Sequence, residues 1–195
     1  MKIERKGWEI TIVHDKDDDW YRANCTSSSG QTITSSIYDT ENEAIEAGCL
    51  LVDRAWEEEH GIKRQVDIDE LWVVAADENI ALYIDLITGN TLEVLPLEFD
   101  QQPEIDSDYL ELSDRYLQIP DFNEPRPDME DFIDRIEDEG TQAIVAKAFY
   151  AKGRGGFRRV KDIVGGEWSE FEHERKKERF LQWLESENLE LKSAD

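Results

Sequence analysis

Thr40-Glu41-Asn42-Glu43-Ala44-Ile45-Glu46-Ala47-Gly48-Cys49-Leu50-Leu51-Val52 is the stretch on which the fold turns. Thr40 and Glu43 have capping-box spacing. Ala44, Ile45, Gly48, Leu51, Val52, Ala55 and Trp56 then recur at three- and four-residue intervals, the signature of an amphipathic helix. Gly61 stands where a C-cap belongs. Upstream the period changes to two. Trp8, Ile10 and Ile12 alternate with polar residues, a second strand is expected from Trp20 to about Thr26, and Ile33, Ser35 and Ile37 alternate again. The turns between them are Asp15-Lys16-Asp17-Asp18-Asp19 and Ser28-Ser29-Gly30. Residues 1–62 therefore predict a three-stranded antiparallel sheet carrying one helix, with Trp8, Ile10, Ile12 and Ile37 buried against it.

Strand runs followed by helix runs make the whole chain α+β. Asp67-Ile68-Asp69-Glu70 resembles a helix start, and Leu71-Trp72-Val73-Val74-Ala75-Ala76 fits a short helix or a buried strand equally well. Ile80 to Leu86, Thr88-Gly89-Asn90 and Thr91 to Leu95 read as a β-hairpin. Residues 98–128 hold four of the five prolines and many acids. They predict an extended, partly mobile connector with a short strand or helix between Tyr109 and Ile119. The rest, about 129–190, reads as a helical bundle. Asp128 precedes one helix that Gly140 ends, and Thr141 caps a second. Gly153 to Gly156 turn into a short third helix, and a long fourth begins near Glu167 and stops about Asn188. The domain boundary is placed between 62 and 63.

Composition bounds the function. The 195 residues carry a formal net charge of −25, so most of the surface repels phosphate backbones and anionic membranes. The charge is uneven, with −8 over 1–62, −18 over 63–140, +4 over 141–180 and −3 over 181–195. Nucleic acid could be bound only through 141–180. No apolar run approaches the roughly 20 residues a membrane span needs. Met1-Lys2-Ile3-Glu4-Arg5-Lys6 lacks the apolar stretch of a secretory signal. Two cysteines, Cys25 and Cys49, fit a reduced, cytoplasmic setting.

Within the basic segment, Gly153-Arg154-Gly155-Gly156-Phe157-Arg158-Arg159-Val160-Lys161 packs four cations and three glycines into nine residues. A glycine-rich turn at a helix start can direct backbone N–H groups at an anion. Arg154, Gly155, Gly156, Arg158, Arg159 and Lys161 are accordingly the candidate anion- or partner-binding residues. The order is neither a Walker A loop nor a dinucleotide fingerprint. The alternative is structural, with the arginines paired to neighbouring carboxylates and Phe157 anchoring the turn. Asp15, Asp17 and Asp19 have metal-ligand spacing. An EF-hand loop counted from Asp15 would need Gly and Glu where Trp20 and Thr26 stand, so a solvated turn is expected. His14, His60 and His173 are scattered, and the tryptophans fall at core positions except Trp20, expected to be partly exposed. No metal, cofactor or catalytic constellation is predicted.

Tyr83-Ile84-Asp85-Leu86 with Thr88-Gly89, Met129-Glu130-Asp131-Phe132, the basic turn with Lys161-Asp162, then Trp168, Phe171 and Trp183-Leu184-Glu185 together resemble uncharacterised protein family 0158, a bacterial group. The resemblance covers roughly residues 63–190 and leaves 1–62 as an added module. It departs from the family pattern at Val160, where members commonly carry Phe, and in the short Gly165-Gly166 spacer. The resemblance brings no known enzymatic activity with it. The expected function is a non-enzymatic cytoplasmic interaction or regulatory module with a protein partner. Three alternatives stay open. One is a nucleic-acid-associated or anion-binding protein using 153–161. The others are an acidic nucleic-acid mimic using the carboxylates of 98–139, and a hydrolase with a site beside the basic segment.

Overall fold

The computed structural model describes residues 1–69, 80–94, 107–151 and 155–192. They form two compact units, one of residues 1–69, 80–94, 107–120 and 184–192, the other of 121–151 and 155–183. The expected short element at 71–76 and the connector from 98 to 106 lie outside the described residues.

The first unit opens with an antiparallel sheet in the order β1 (Lys2–Arg5), β2 (Trp8–Asp15), β3 (Trp20–Ser27), β4 (Thr32–Thr34). The sheet has four strands rather than the expected three. The extra hairpin turns on Lys6 and Gly7, whose φ values are 48° and 81°. A two-residue turn of this hand needs both residues in the left-handed region, and a lysine there does not advertise it in sequence. Helix α1 (Glu41–Glu59) starts on the anticipated cap, with the Glu43 N–H donating to Thr40 Oγ1 and the Thr40 hydroxyl donating to Glu43 Oε2.

Gly48 lets α1 approach the sheet. A Cβ there would lie 2.6 Å from Ala23 Cβ and 2.9 Å from Ile10 Cγ2. Trp8, Ile10, Ala23, Cys25 and Val52 form the resulting core. Ile37, expected inside, is 57% exposed. Strand β4 stops at Thr34, and the chain rejoins the sheet through a Tyr21–Tyr38 bridge, which buries Tyr38 instead.

The same unit contains a three-stranded sheet in the order β7 (Thr91–Val94), β6 (Ala81–Asp85), β8 (Tyr116–Ile119), with α2 (Ser107–Leu112) before its last strand. The hairpin is where the sequence places it. Gly89, at φ 75°, closes the turn; a Cβ on it would meet the Gln65 carbonyl oxygen at 2.8 Å. The Asp67 N–H donates to the Gly89 carbonyl and the residue forms a parallel bridge with Asn90; the helix expected to follow it lies outside the described residues. A short parallel pair, β5 (Arg64–Val66) with β9 (Leu189–Leu191), joins residues far apart in the chain. Residues 1–62 are bonded into this unit. Asp114 Oδ2 accepts from the Ser36 N–H at 2.7 Å and the Tyr38 hydroxyl at 3.0 Å. The Asp114 N–H in turn donates to Tyr38 Oη.

The second unit is helical: α3 (Pro125–Asp134), α4 (Glu139–Tyr150), α5 (Gly156–Val164) and α6 (Gly166–Ser186), whose last turn belongs to the first unit. Met129, Phe132, Ile133, Val145, Val160, Trp168 and Phe171 are its core. Three boundaries differ from the sequence reading. Helix α3 ends at Asp134, so Gly140 does not close it but lies in the first turn of α4. Prolines 125 and 127 begin α3 a turn early, so Asp128 lies inside the helix and is fully buried. Asp138, not Thr141, caps α4; its carboxylate accepts from the Thr141 N–H at 2.6 Å, and the Thr141 hydroxyl together with that N–H holds it below the usual carboxylate range.

Candidate interaction face

The basic turn is first a helix junction. Gly155 precedes α5 at φ 106°, a conformation L side chains rarely adopt. Gly156 begins the helix so close to α4 that a Cβ would lie 2.6 Å from the Phe149 carbonyl oxygen. Phe157 packs edge-to-face on Phe149 at 5.2 Å, and Val160 is fully buried. Gly156 therefore admits neighbouring backbone and Gly155 supplies the left-handed turn before it, but neither Arg158 nor Arg159 has the carboxylate partner that the structural reading expected among the described residues.

The cations divide. Arg159 is half-buried, and its Nε donates to the Ala148 carbonyl at 3.2 Å; its Nη2 is buried with no hydrogen-bond partner. Lys161 lies 4.0 Å from Glu172 and 6.0 Å from the centre of the Trp168 ring. Arg158 is exposed, with no partner among the described residues. Arg154 lies outside the described residues. Arg158, Arg159 and Lys161 thus share one short helix and do not converge on one point through any common partner.

A feature missed in sequence lies around them. From Thr141 to Lys161 the chain has six cations and no carboxylate, in a protein with 47 acidic residues. The net charge of 141–180 conceals this, because α6 contributes acids to the same window. The exposed side chains here are apolar as well as basic. On α4, Ile144 is 60% and Tyr150 59% exposed, beside exposed Lys147; on α5, Ile163 is 44% exposed. Val145 alone on α4 is fully buried. A simple scan for acid-free runs would have found this segment.

The first unit holds a cleft of about 700 Å³ lined by Arg5, Asp53, Cys49, Arg64, Thr88 and Arg115 among others. Its arginines are each matched to a carboxylate. Arg5 is bidentate on Asp53 at 2.8 and 2.6 Å, and Arg115 on Asp85 at 2.9 and 2.6 Å. Arg64 donates twice to Glu57 at 3.0 Å and once to the Leu86 carbonyl at 2.7 Å. Burial raises the Asp85 carboxyl, but hydrogen bonds from Arg115 and the Ile87 N–H, with the Arg115 charge, outweigh it and hold it low. Burial likewise raises Asp53, and Arg5 with Lys6 brings it below the usual range. Burial pushes Cys49 up against the opposing pull of Arg5, and Cys25 up to about 11. Neither thiol is activated for nucleophilic attack.

The remaining sequence candidates stay separate. His14 stacks on Tyr21 at 4.2 Å and pairs with Asp19, while His60 stacks on Trp56. Asp15 accepts from the N–H groups of Asp17 and Asp18, as in a self-bonded turn. Among the described residues no group of three or more His, Cys, Asp or Glu could hold a metal ion, and no helix is long and apolar enough to cross a membrane. Trp20 is half-buried under Arg22 at 5.3 Å.

The molecule is thus an α+β protein with a charge-matched cleft and a basic, partly apolar helical surface. Its sequence belongs to the uncharacterised protein family UPF0158, whose model matches residues 62–194. Neither the search of curated proteins nor that of solved structures returned a match.

Proposed function

We propose that this chain is a non-enzymatic interaction module that docks an acidic, partly apolar protein segment on the surface of the α4–α5 pair. The observation that carries this reading is the acid-free run 141–161, which exposes Ile144, Lys147 and Tyr150 on α4 and Arg158 on α5. Apolar and aromatic side chains mixed with arginine are what protein interfaces concentrate. An acidic partner is favoured because every described charge on this run is positive.

A phosphate backbone is a poorer fit. Affinity for nucleic acid comes from several phosphates neutralised at once. Here Arg159 is engaged with a carbonyl and Lys161 lies by Glu172, so Lys147 and Arg158 are the unpaired cations among the described residues of the run. The mimicry reading is weakened too, because Glu124, Asp128 and Asp131 of the acidic segment pair with Arg175 and Arg179.

The test is fluorescence anisotropy of the full chain with two probes, a Glu- and Leu-rich amphipathic peptide and a single-stranded DNA oligonucleotide. The peptide should bind, and Ile144→Asp or Arg158→Glu should weaken it at least about fivefold, roughly 1 kcal/mol. Binding of the DNA in preference to the peptide would overturn the reading, as would peptide binding indifferent to both substitutions.

A further inference from the structure

A second surface of the helical unit has the chemistry the α4–α5 surface calls for. Phe132 and Ile136 at the end of α3 and Phe171 on α6 floor a groove of about 360 Å³. Glu137, Glu167, Glu170 and Glu174 rim it. The last three follow at i, i+3 and i+7, so they form one stripe along α6. None of the four carboxylates has an ion-pair partner among the described residues, although Arg175 and Arg179 on the same helix are fully engaged elsewhere. Arg135 lies over the Phe171 ring at 4.8 Å, so the groove already holds one guanidinium on an aromatic face.

The volume is at the lower end of the range for bound groups, which is room for a large side chain or two rather than a whole element. An occupant must therefore present one or two protruding apolar groups flanked by cations. Tyr150 and Ile144 with Lys147 on α4, and Arg158 on the helix that follows, supply groups of this kind.

We infer that the partner of the α4–α5 surface is the Phe132–Phe171 groove of a second copy of this chain, bound face to groove. This rests on the reading of α4–α5 as a docking surface. Four unpaired carboxylates around an apolar floor meet an apolar surface bearing unpaired cations, so both the charge and the hydrophobic complement are present in one sequence. The net charge of −25 opposes self-association at long range. At about 0.15 M salt the screening length is only about 8 Å, so distant carboxylates are damped and contact charges decide.

The experiment is sedimentation velocity on the full chain, from low to high micromolar concentration in near-physiological salt. The wild type should rise from its 22.7 kDa monomer toward the dimer or beyond. Arg158→Glu and Glu170→Arg should each weaken association roughly tenfold or more. Mixing these two variants should restore the complex. The intact surface of the Glu170→Arg copy then meets the intact groove of the Arg158→Glu copy, and any second contact pairs the two reversed charges. Ile144→Asp and Glu174→Lys serve as a second pair, and circular dichroism checks that each variant is folded. A wild type that stays monomeric throughout overturns the inference, as does association that neither variant weakens or that mixing fails to restore. A monomeric wild type that still binds the acidic peptide overturns only the second copy as partner; loss of peptide binding as well removes the docking surface itself.

Discussion

The cations around the α1 cleft and those on the α4–α5 pair are alike in chemistry and opposite in circumstance. In the cleft, Arg5, Arg64 and Arg115 each hold a carboxylate through two parallel hydrogen bonds, and Arg64 takes a carbonyl besides. On α4 and α5, Lys147 and Arg158 meet no acid at all among the described residues. A guanidinium fork already saturated by a carboxylate recognises nothing further, however large the cleft beside it. The site for a partner is thus better sought where positive charge is left over than where it is densest.

The largest effect should come from breaking an internal pair rather than an exposed one. Asp128 is fully buried in α3 and accepts from both nitrogens of the Arg179 fork, with Arg175 alongside. Asp128→Ala would leave the mostly buried Arg179 with only Glu124 and the Phe122 carbonyl, so the loss should approach that of a broken buried pair, about 3–5 kcal/mol, without reaching its upper end. Urea unfolding should show this loss. Asp131→Ala, which removes an exposed partner of the same arginine cluster, should cost no more than about 1 kcal/mol. Equal effects from the two would mean that burial does not set the worth of these pairs.

Arg115→Met applies the same logic to the cleft. It leaves Asp85 nearly buried without its cation, at a cost of about 1.5–3 kcal/mol. The folded carboxyl of Asp85 is depressed, so its contribution is present above the unfolded value near pH 4 and is lost as pH falls through the folded one. Removing Arg115 leaves burial opposed only by the Ile87 N–H and the Thr88 hydroxyl, and so raises that carboxyl. Acid unfolding of Arg115→Met should therefore begin at higher pH than in the wild type. An unchanged acid limb would show that Arg115 is not what holds Asp85 low.

How much of this was legible in sequence depended on range. The Thr40–Glu43 cap, the alternation in β2 and the hairpin β6–β7 are local, and each stands where the residues place it. The pair β5–β9 joins two three-residue strands some 125 positions apart, too short for any period to register. Asp128 looks like a helix cap because its partner Arg179 lies 51 residues downstream. Gly156 looks like part of an anion cradle because nothing in the run 153–161 reveals that Phe149 will pass so close. The fault line is between what neighbours dictate and what the tertiary fold brings together.

Gly156 and Arg158, two residues apart, sharpen the comparison within the turn itself. Gly156→Ala forces a Cβ against the Phe149 carbonyl, which is backbone and cannot swing aside. Overpacking of this kind costs about 1–3 kcal/mol. The better helix propensity of alanine offsets up to about 1 kcal/mol, so a net loss of roughly 1–2 kcal/mol is expected in thermal or urea melts. A stable Gly156→Ala would mean that α5 can retreat from α4.

Arg158→Glu should change stability least, within about 0.5 kcal/mol, as for exposed residues with no partner. Reversal of a charge is nonetheless a large change at an interface, because a repelling group replaces an attracting one. The variant should melt with the wild type and fail in peptide binding and self-association. If Arg158 instead held the fold together, its melting temperature would fall alongside binding, and Arg158 would have to be grouped with the arginines of the cleft. The separation of the two readouts at this residue is therefore what distinguishes a surface for a partner from one more internal ion pair.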